Sequence, residues 1–222
     1  MKLSLIAAIL VSFILSISVA EAQLTLITSR NGTGANDSVD WGTKGPSGTT
    51  LTNPFTVSSL LGYGLTVSQA SGNPIIYSNS VAGGNFGASD LELWTQAGGP
   101  LTIIFPNAVS AAGAQIQANY YGSFVARLTA YDGNNNLLGS VTEDGTSNSN
   151  IGTAIFLGGS VSTNDISKIV FSLDSAPPGG NVGDFGINQL SMREAGVPEA
   201  DTFSIAMIGL AGSAFLRRRR AR

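Results

Sequence analysis

The sequence contains no cysteine and no histidine among its 222 residues. Without cysteine there are no disulfide bonds and no thiol nucleophile, so a folded domain must depend on its hydrophobic core. The lack of histidine excludes Ser-His-Asp catalysis and removes the commonest transition-metal ligand. Charged residues are also scarce, at 11% of the chain. Because hydrophobic residues reach 43%, the low charge indicates a foldable polar chain rather than disorder.

The few charges are unevenly distributed along the chain. Residues 23–200 carry 12 acidic and 5 basic side chains, a net charge of −7. An acidic surface repels phosphate backbones. Nucleic acid is therefore not expected as a partner.

Short alternating apolar segments separated by Gly, Asn, Asp and Pro predict an all-β fold. Residues 29–54 are expected to form a long loop or irregular edge, and 132–136 the turn of a hairpin. Segments 91–94 and 101–105 are expected to be paired through a Gly-Gly-Pro turn. We predict an antiparallel, jelly-roll-like β-sandwich over residues 23–195. The predicted strands are 24–28, 55–57, 65–67, 91–94, 101–105, 114–118, 124–131, 137–142, 154–157, 166–173 and 185–192.

The first 22 residues are typical of a secretory signal peptide. Lys2 precedes an apolar stretch from Leu3 to Val19, which would form the signal helix. Ala20 and Ala22 are the small residues that a signal peptidase reads, which places cleavage before Gln23. The alternative is an uncleaved N-terminal anchor.

The last 27 residues, 196–222, form a tail in three parts. Val197, Pro198 and Glu199 precede an almost uncharged segment, 202–216, which is shorter than the roughly 20 residues of a comfortable transmembrane helix. A basic cluster follows over 217–222 and is expected to stop transfer and fix this end in the cytoplasm. A short transmembrane helix is therefore predicted over 202–216. The basic cluster comprises Arg217, Arg218, Arg219, Arg220 and Arg222.

The order of these three parts resembles the PEP-CTERM sorting signal of exopolysaccharide-producing bacteria. Ala200 stands where that signal usually has a second proline. The resemblance implies transient membrane insertion, processing by an exosortase near Pro198 and Glu199, and delivery to the cell surface or extracellular matrix. A plain C-terminal membrane anchor is the alternative. Segments of the body are also similar to secreted sandwich domains of such proteins, namely 36–41, 45–48, 53–55, 128–132, 138–139 and 185–190.

A calcium site is a further candidate. Asp37, Asp40, Asp184 and Asn188 lie near the two ends of the predicted domain, which jelly rolls often bring together. Oxygen ligands from such loops suit Ca²⁺. The alternative is that these side chains cap turns through the backbone, in which case no cofactor is present.

Trp94, Tyr120 and Tyr121 are candidate glycan contacts, because aromatic faces suit the apolar face of a sugar ring. Aromatic residues of a sandwich are more commonly part of the core. Trp94 lies in an alternating strand, whereas Tyr120 and Tyr121 lie where a strand meets a turn. At least one of these two tyrosine rings must therefore face outward.

Catalytic residues are not evident. A glycosidase needs two carboxylates at a set separation, and the spacing of Glu92, Asp132, Glu143 and Asp144 singles out no pair. Glu143 and Asp144 are expected in a solvated turn. The sequence therefore favours an exported, non-enzymatic surface or matrix protein that is processed by signal peptidase and exosortase. The alternative is a carbohydrate-binding module for extracellular polysaccharide, with or without structural calcium.

Overall fold

The computed structural model describes residues 23–79 and 84–194. These residues form antiparallel β-strands together with two 3-10 turns, at Arg30–Thr33 and Trp41–Lys44. The all-β, antiparallel prediction is confirmed. The strands are β1 (Thr25–Ile27), β2 (Asp37–Val39), β3 (Phe55–Ser58), β4 (Gly64–Gln69), β5 (Ile75–Ser78), β6 (Leu91–Trp94), β7 (Leu101–Ala118), β8 (Gly122–Tyr131), β9 (Leu137–Ser147), β10 (Ile155–Ser160), β11 (Ile166–Ser175), β12 (Phe185–Ile187) and β13 (Leu190–Glu194).

Strand β7 is the element around which the others are arranged. Its first part pairs with β4 and β11, and its second part pairs with β10, β12 and β13. Between the two parts the pairing shifts from Ile104 opposite Lys168 to Val109 opposite Ile166. Pro106 lies in this irregular stretch, where a residue without a backbone N–H is tolerated. The two strands predicted at 101–105 and 114–118 are therefore one strand.

The shared strand divides the sheet into two portions. One portion has the order β3-β4-β7-β11-β8-β9. In the other, β10 and β1 lie on one side of β7, while β13 with β2 and β12 with β6 and β5 lie on the other. Strand β10 contacts β8 and β9 although it is hydrogen-bonded to neither. The two portions therefore face each other, an arrangement consistent with a β-sandwich.

A single hydrophobic cluster joins the two portions. Leu128 and Phe171 come from one portion and Ile116 and Ile187 from the other, and all four are fully buried. Side chains alternate along the strands, with inward residues apolar on β8 (124, 126, 128 and 130). A second feature is the close approach of β7 and β10, where a Cβ on Gly113 would lie 2.6 Å from the Cα of Gly158. Glycine at this position lets the two backbones touch.

Several local predictions are corrected by the pairing. Residues 29–54, expected as a long loop or an irregular edge, contain both 3-10 turns and the short strand β2, which pairs with β13 alone, and β5 was not predicted. Strand β6 pairs with β5 and β12 rather than with β7. The segment 185–192 follows β7 in one direction as β12 and β13, which are separated by Asn188 and Gln189, where the register along β7 shifts by one residue. Glu143 and Asp144 lie within β9 and not in a turn, because β9 continues to Ser147 along β8.

Both described chain ends lie at the same end of the domain. Thr25, Ser160, Ala111 and Arg193 are neighbours in one row across β1, β10, β7 and β13. Three strand spacings separate the outer two, which is roughly 14 Å. Strand β1 begins at this row and β13 ends one residue beyond it. The chain therefore enters β1 and leaves β13 at the same end of the strands.

We call this end of the domain the terminal end. It also carries the turn 59–63, the irregular stretch 105–108 and the hairpin turn 132–136. The opposite end carries 119–121, 148–153 and 176–184. Hydrogen bonds from Leu24 N–H to the carbonyl of Leu138, and from Leu60 N–H to that of Ser38, hold the turns of the terminal end beside the chain ends.

Candidate functional site

Asn188, between β12 and β13, is the centre of a buried polar network. Its Oδ1 accepts hydrogen bonds from Arg30 Nη2 (3.0 Å) and from the N–H of Gln115 (3.1 Å). Its Nδ2 donates to Asp90 Oδ2 (2.9 Å) and to Gln115 Oε1 (2.6 Å). Its carbonyl accepts from Trp41 Nε1 (2.8 Å). Because the amide makes four hydrogen bonds, Asn188 holds several separate segments of the chain together.

Arg30 is the cation of this network. It also donates to the carbonyl of Gln189 at 2.9 Å, and its guanidinium lies 5.7 Å from the ring centre of Phe156. Burial lowers the pKa of Arg30, and the nearby carboxylate of Asp90 acts in the opposite direction. The network is thus a hydrogen-bonded polar cluster on the outer face of the sheet, and the positive charge of Arg30 within it is partly removed from water.

Glu92 is an acid buried close to this layer. Its side chain is 1% exposed, and its Oε1 has no hydrogen-bond partner. Burial, and then the charge of Asp90, raises the pKa of Glu92 to about 8. The alternation of Leu91, Glu92 and Leu93 puts the carboxyl on the face away from the core, so the sequence indicates exposure. The fold nevertheless buries Glu92, whose Oε2 lies beside Gly186 of β12, and the sequence carries no signal for this burial.

Trp94 is held in place and is 8% exposed. Its Nε1 donates to Asp184 Oδ1 at 2.9 Å, and its ring meets Tyr77 edge-on with 6.4 Å between centres. Asp184 Oδ2 accepts from Asn119 Nδ2 at 2.6 Å. The indole therefore presents little surface to a sugar, and of the two interpretations the structural one fits Trp94.

Tyr120 and Tyr121 differ from Trp94 in exposure. The residues are 51% and 58% exposed and lie between β7 and β8 at the opposite end. The prediction that at least one ring faces outward is confirmed. A surface depression of about 540 Å³, lined by both polar and apolar side chains, begins at Ser123, two residues after Tyr121. It is lined by Ser123, Phe124, Val125, Asp144, Gly145, Thr146, Asn148, Thr153, Ile155 and Ser175.

The four candidate calcium ligands have separate roles. Asp40 Oδ1 accepts from the N–H of Gly42 at 2.8 Å and caps the second 3-10 turn. Asp184 binds Trp94, and Asn188 is the amide at the centre of the network described above. Within residues 23–79 and 84–194, no group of three or more acidic side chains is placed to hold a metal ion.

Asp37 is the member of that set with a free oxygen. Its Oδ1 accepts from the N–H groups of Ser38 (2.8 Å) and Leu61 (3.0 Å), while its buried Oδ2 has no partner. Glu194, on the neighbouring strand, likewise has an unpartnered buried Oε1. Burial, and then the charge of Asp37, raises the pKa of Glu194. The charge of Asp37 therefore opposes the ionisation of Glu194.

The carboxylates considered for catalysis are dispersed. Glu143 and Asp144 are consecutive in β9, so their side chains point to opposite faces. Asp132 accepts from the N–H groups of Asn134 and Asn136, both at 2.8 Å, and stabilises the hairpin turn. The hydrogen bonds of that turn lower the pKa of Asp132, chiefly through the Asn136 side chain.

Two groups of sequence-predicted residues lie outside the described residues. They are the signal-peptide residues up to Ala22 and the tail from Val197 to Arg222. Gln23, the expected first residue after cleavage, is described and exposed. In the described part of the chain, none of the helices is long and apolar enough to cross a bilayer.

Comparison with known proteins finds no sequence relative and only a distant structural similarity. No protein-family model matches the sequence, and no curated protein matches it. A crystal structure of a DUF4465 family protein from Bacteroides caccae is similar over 71% of this chain and 100% of that chain. The sequence identity is 11% and the TM-score is 0.42. At this level of likeness, neither fold nor function is transferred.

Proposed function

We propose that this chain is an exported, non-enzymatic protein of the cell surface or extracellular matrix, sorted by its PEP-CTERM-like tail. Signal peptidase removes residues 1–22. The tail then inserts in the membrane through 202–216, with the arginine cluster in the cytoplasm, and an exosortase acts near Pro198 and Glu199. The domain is afterwards held at the surface or released into extracellular polysaccharide.

One observation carries this proposal furthest. The chain enters β1 and leaves β13 at the same edge of the sheet, about 14 Å apart. The signal peptide and the tail therefore attach at the same end of the folded domain, so each would reach a membrane that faces this end. The dispersed positions of Asp132, Glu143 and Asp144 also favour a non-enzymatic role.

Intact mass of the protein from the membrane fraction and the medium tests the proposal. We expect a first residue of Gln23 and a last residue near Pro198 and Glu199. The Glu199→Ala variant should keep the whole tail and stay in the membrane, whereas Glu143→Ala, a change on β9, should be processed normally. Recovery of uncleaved protein from the cytoplasm would contradict export, and an intact tail on the surface protein would favour a plain anchor.

We also propose that the fold is a jelly-roll-like β-sandwich. Two facing antiparallel portions that share a strand favour a jelly-roll-like sandwich. An experimental structure of residues 23–195 tests this. Strand pairs that do not face each other across one core would overturn it.

A second candidate function is carbohydrate binding at the opposite end. Tyr120 and Tyr121 are exposed, and a depression lined in part by hydroxyl, amide and carboxylate groups begins at Ser123, two residues further along the chain. Aromatic rings beside such groups suit a sugar. A glycan array should give a signal that Tyr120→Ala or Tyr121→Ala removes and that Trp94→Phe leaves intact. No signal from neutral or acidic polysaccharides would reject this candidate.

Calcium support belongs with this second candidate. Asp37 has an unpartnered buried oxygen, and Asp40 is exposed nearby in sequence. A rise in melting temperature with added Ca²⁺, lost in Asp37→Asn, would support a calcium site. An unchanged melting temperature after chelation and after Ca²⁺ addition would reject it.

A further inference from the structure

The turn 59–63 presents two adjacent leucines to solvent. Leu60 is 80% exposed and Leu61 is 55% exposed, the former being the most exposed of the large hydrophobic residues in the described part of the chain. Scattered apolar residues on a surface are ordinary. Two adjacent ones at the tip of a turn are less so, because they project apolar surface away from the domain.

The backbone of this turn is held firmly. Leu60 N–H donates to the carbonyl of Ser38 at 2.8 Å, and Leu61 N–H donates to the buried Oδ1 of Asp37 at 3.0 Å. Ser59 N–H donates to the carbonyl of Tyr63 at 2.9 Å and closes the turn. Since the backbone is tied to β2, the leucines are held out and are not free to fold back.

The turn lies beside the point where the chain leaves the sheet. Asn36, two residues before Ser38, exchanges hydrogen bonds with the backbone of Glu194 in both directions, at 2.8 and 3.3 Å. Leu60 thus binds the same short strand that borders the C-terminal exit. The exposed leucines and the exit belong to one surface, at the terminal end.

Chain length limits how far this surface can lie from a membrane. Seven residues separate Glu194 from Thr202, where the apolar segment of the tail begins. A fully extended chain covers that interval in at most about 29 Å. Insertion of 202–216 therefore keeps the terminal end close to the bilayer.

The charge pattern is compatible with contact. Between Lys44 and Asp90 the sequence has no charged residue. Neither the turn nor the strands β3 and β4 that flank it would have to remove a charge from water on approaching lipid. Leucine side chains at the surface of a bilayer gain free energy by entering the boundary between headgroups and acyl chains.

We propose that Leu60 and Leu61 enter the lipid interface of the membrane that holds the tail, and so fix the domain upright with Tyr120 and Tyr121 pointing away. This inference rests on the proposed membrane insertion of the tail. The occupant of the leucine surface is a lipid bilayer. The contact lasts as long as the tail is attached, and the domain leaves the membrane after processing.

The absence of native cysteine allows a direct test on the full chain. Three single-cysteine variants, Leu61→Cys, Tyr121→Cys and Ala206→Cys, are labelled with an environment-sensitive fluorophore and reconstituted in phosphatidylcholine vesicles. Lipids carrying a nitroxide quencher in the acyl chain then report contact. Ala206 lies in the apolar segment and reports insertion of the tail, while Tyr121 reports the opposite end.

We expect quenching at 61 and 206, with that at 61 roughly twofold or more above that at 121, since only the first two positions reach acyl chains. Quenching at 206 without quenching at 61 overturns this inference and leaves tail insertion standing. If neither position is quenched, both are overturned. Quenching at 61 alone supports the leucine contact and contradicts tail insertion.

A second variant tests the leucine contact with a substitution that is not expected to affect folding. Leu60→Asp, added to Leu61→Cys, places a carboxylate at the most exposed position, where it disturbs no packing. Quenching at 61 should fall to the level at 121, while quenching at 206 in the matching Ala206→Cys pair stays unchanged. An unchanged signal at 61 would show that the leucines do not hold the turn in lipid.

Discussion

The side-chain nitrogen of Asn188 lies 2.9 Å from a carboxylate oxygen of Asp90 and donates a hydrogen bond to it. The same carboxylate oxygen accepts from the N–H of Gly87 at 3.1 Å. The amide thus fixes the loop over 84–90 to the sheet. The side chain at 188 must both donate and accept, because its Nδ2 donates to Asp90 while its Oδ1 accepts from Arg30 and from the backbone of Gln115.

Replacing Asn188 with aspartate should destabilise the domain. The substitution removes the donor and places two carboxylates in contact in a site that is 3% exposed. We expect a loss of about 1–3 kcal/mol in the free energy of unfolding, because Asp90 and Gln115 lose their donor while Arg30 offsets only part of the added charge. Urea unfolding of residues 23–195 measures it. Gln189→Glu, the same chemical change on the exposed neighbour, should cost less than about 0.5 kcal/mol. Equal effects would show that Asn188 is not the essential donor.

Glu92 should make stability fall as pH rises. Its pKa is raised from 4.5 to about 8 in the fold, first by burial and then by Asp90. Below pH 4.5 the carboxyl is protonated in both states and costs nothing. Between pH 4.5 and 8 the folded state retains a proton that the unfolded state loses, so stability declines by up to about 1.4 kcal/mol per pH unit.

The Glu92→Gln variant isolates this contribution. Melting temperature measured between pH 5 and 8.5 should decline less in the variant, because only Glu194 keeps a raised pKa, and should exceed that of the natural protein near pH 8. Glu143→Gln, a change at a partly exposed position of β9, should leave the pH dependence in place. A natural protein whose melting temperature is constant across this range would contradict the protonated state of Glu92.

The contact of β7 with β10 predicts a strong effect of one methyl group. In Gly113→Ala the new Cβ would meet the Cα of Gly158 at 2.6 Å and the Phe156 ring at 2.7 Å. Since a backbone cannot yield as a flexible side chain does, we expect a loss of about 1–3 kcal/mol. Gly64→Ala, in an exposed strand position with nothing within 4 Å, is the matched control and should be close to neutral. Unfolding in urea compares the two.

The ion pair between Arg127 and Asp174 should contribute little. The Nε of Arg127 lies 2.7 Å from Asp174 Oδ1, and a second nitrogen binds Oδ2, but the side chains are 39% and 34% exposed. The hydrogen bond to Arg127 lowers the pKa of Asp174. Solvent screening limits such pairs to at most about 1 kcal/mol. Asp174→Asn should thus shift the urea midpoint only slightly, and a large shift would show an additional role for this pair.

Local features of the fold could be predicted from the sequence, and pairing between distant segments could not. The hairpin of β8 and β9 was predicted because its turn depends on local residues: Asp132 and Asn136 are hydrogen-bonded to each other across the loop. Strand β6 was located correctly, yet its neighbours are β5 and β12. Alternation shows that a segment is a strand and which side is apolar, but it does not encode the partner.

The candidate site shows the same division. Asn188 was singled out as polar and near a chain end, but as a metal ligand. Its four hydrogen-bond partners come from residues 30, 90 and 115, which only the folded sheet brings together. Glu92 is one acid among several in the sequence, since its burial beside Gly186 of β12 depends on the pairing of distant segments. Tyr120 and Tyr121 were predicted as outward-facing, because a strand-to-turn junction exposes side chains whatever the tertiary structure.

The pairing of β2 with β13 has a consequence for the order of events during biosynthesis. Asp37 is opposite Met192, so one of the first strands to be made must wait for the last before it is paired. Closing so long a loop is entropically costly, and sheets built from such distant contacts form slowly. A chain passing through a narrow export channel therefore cannot complete this domain while any of β13 is still inside. Seven residues beyond β13, a tail that pauses in the membrane would give the finished strand set its first opportunity to assemble outside.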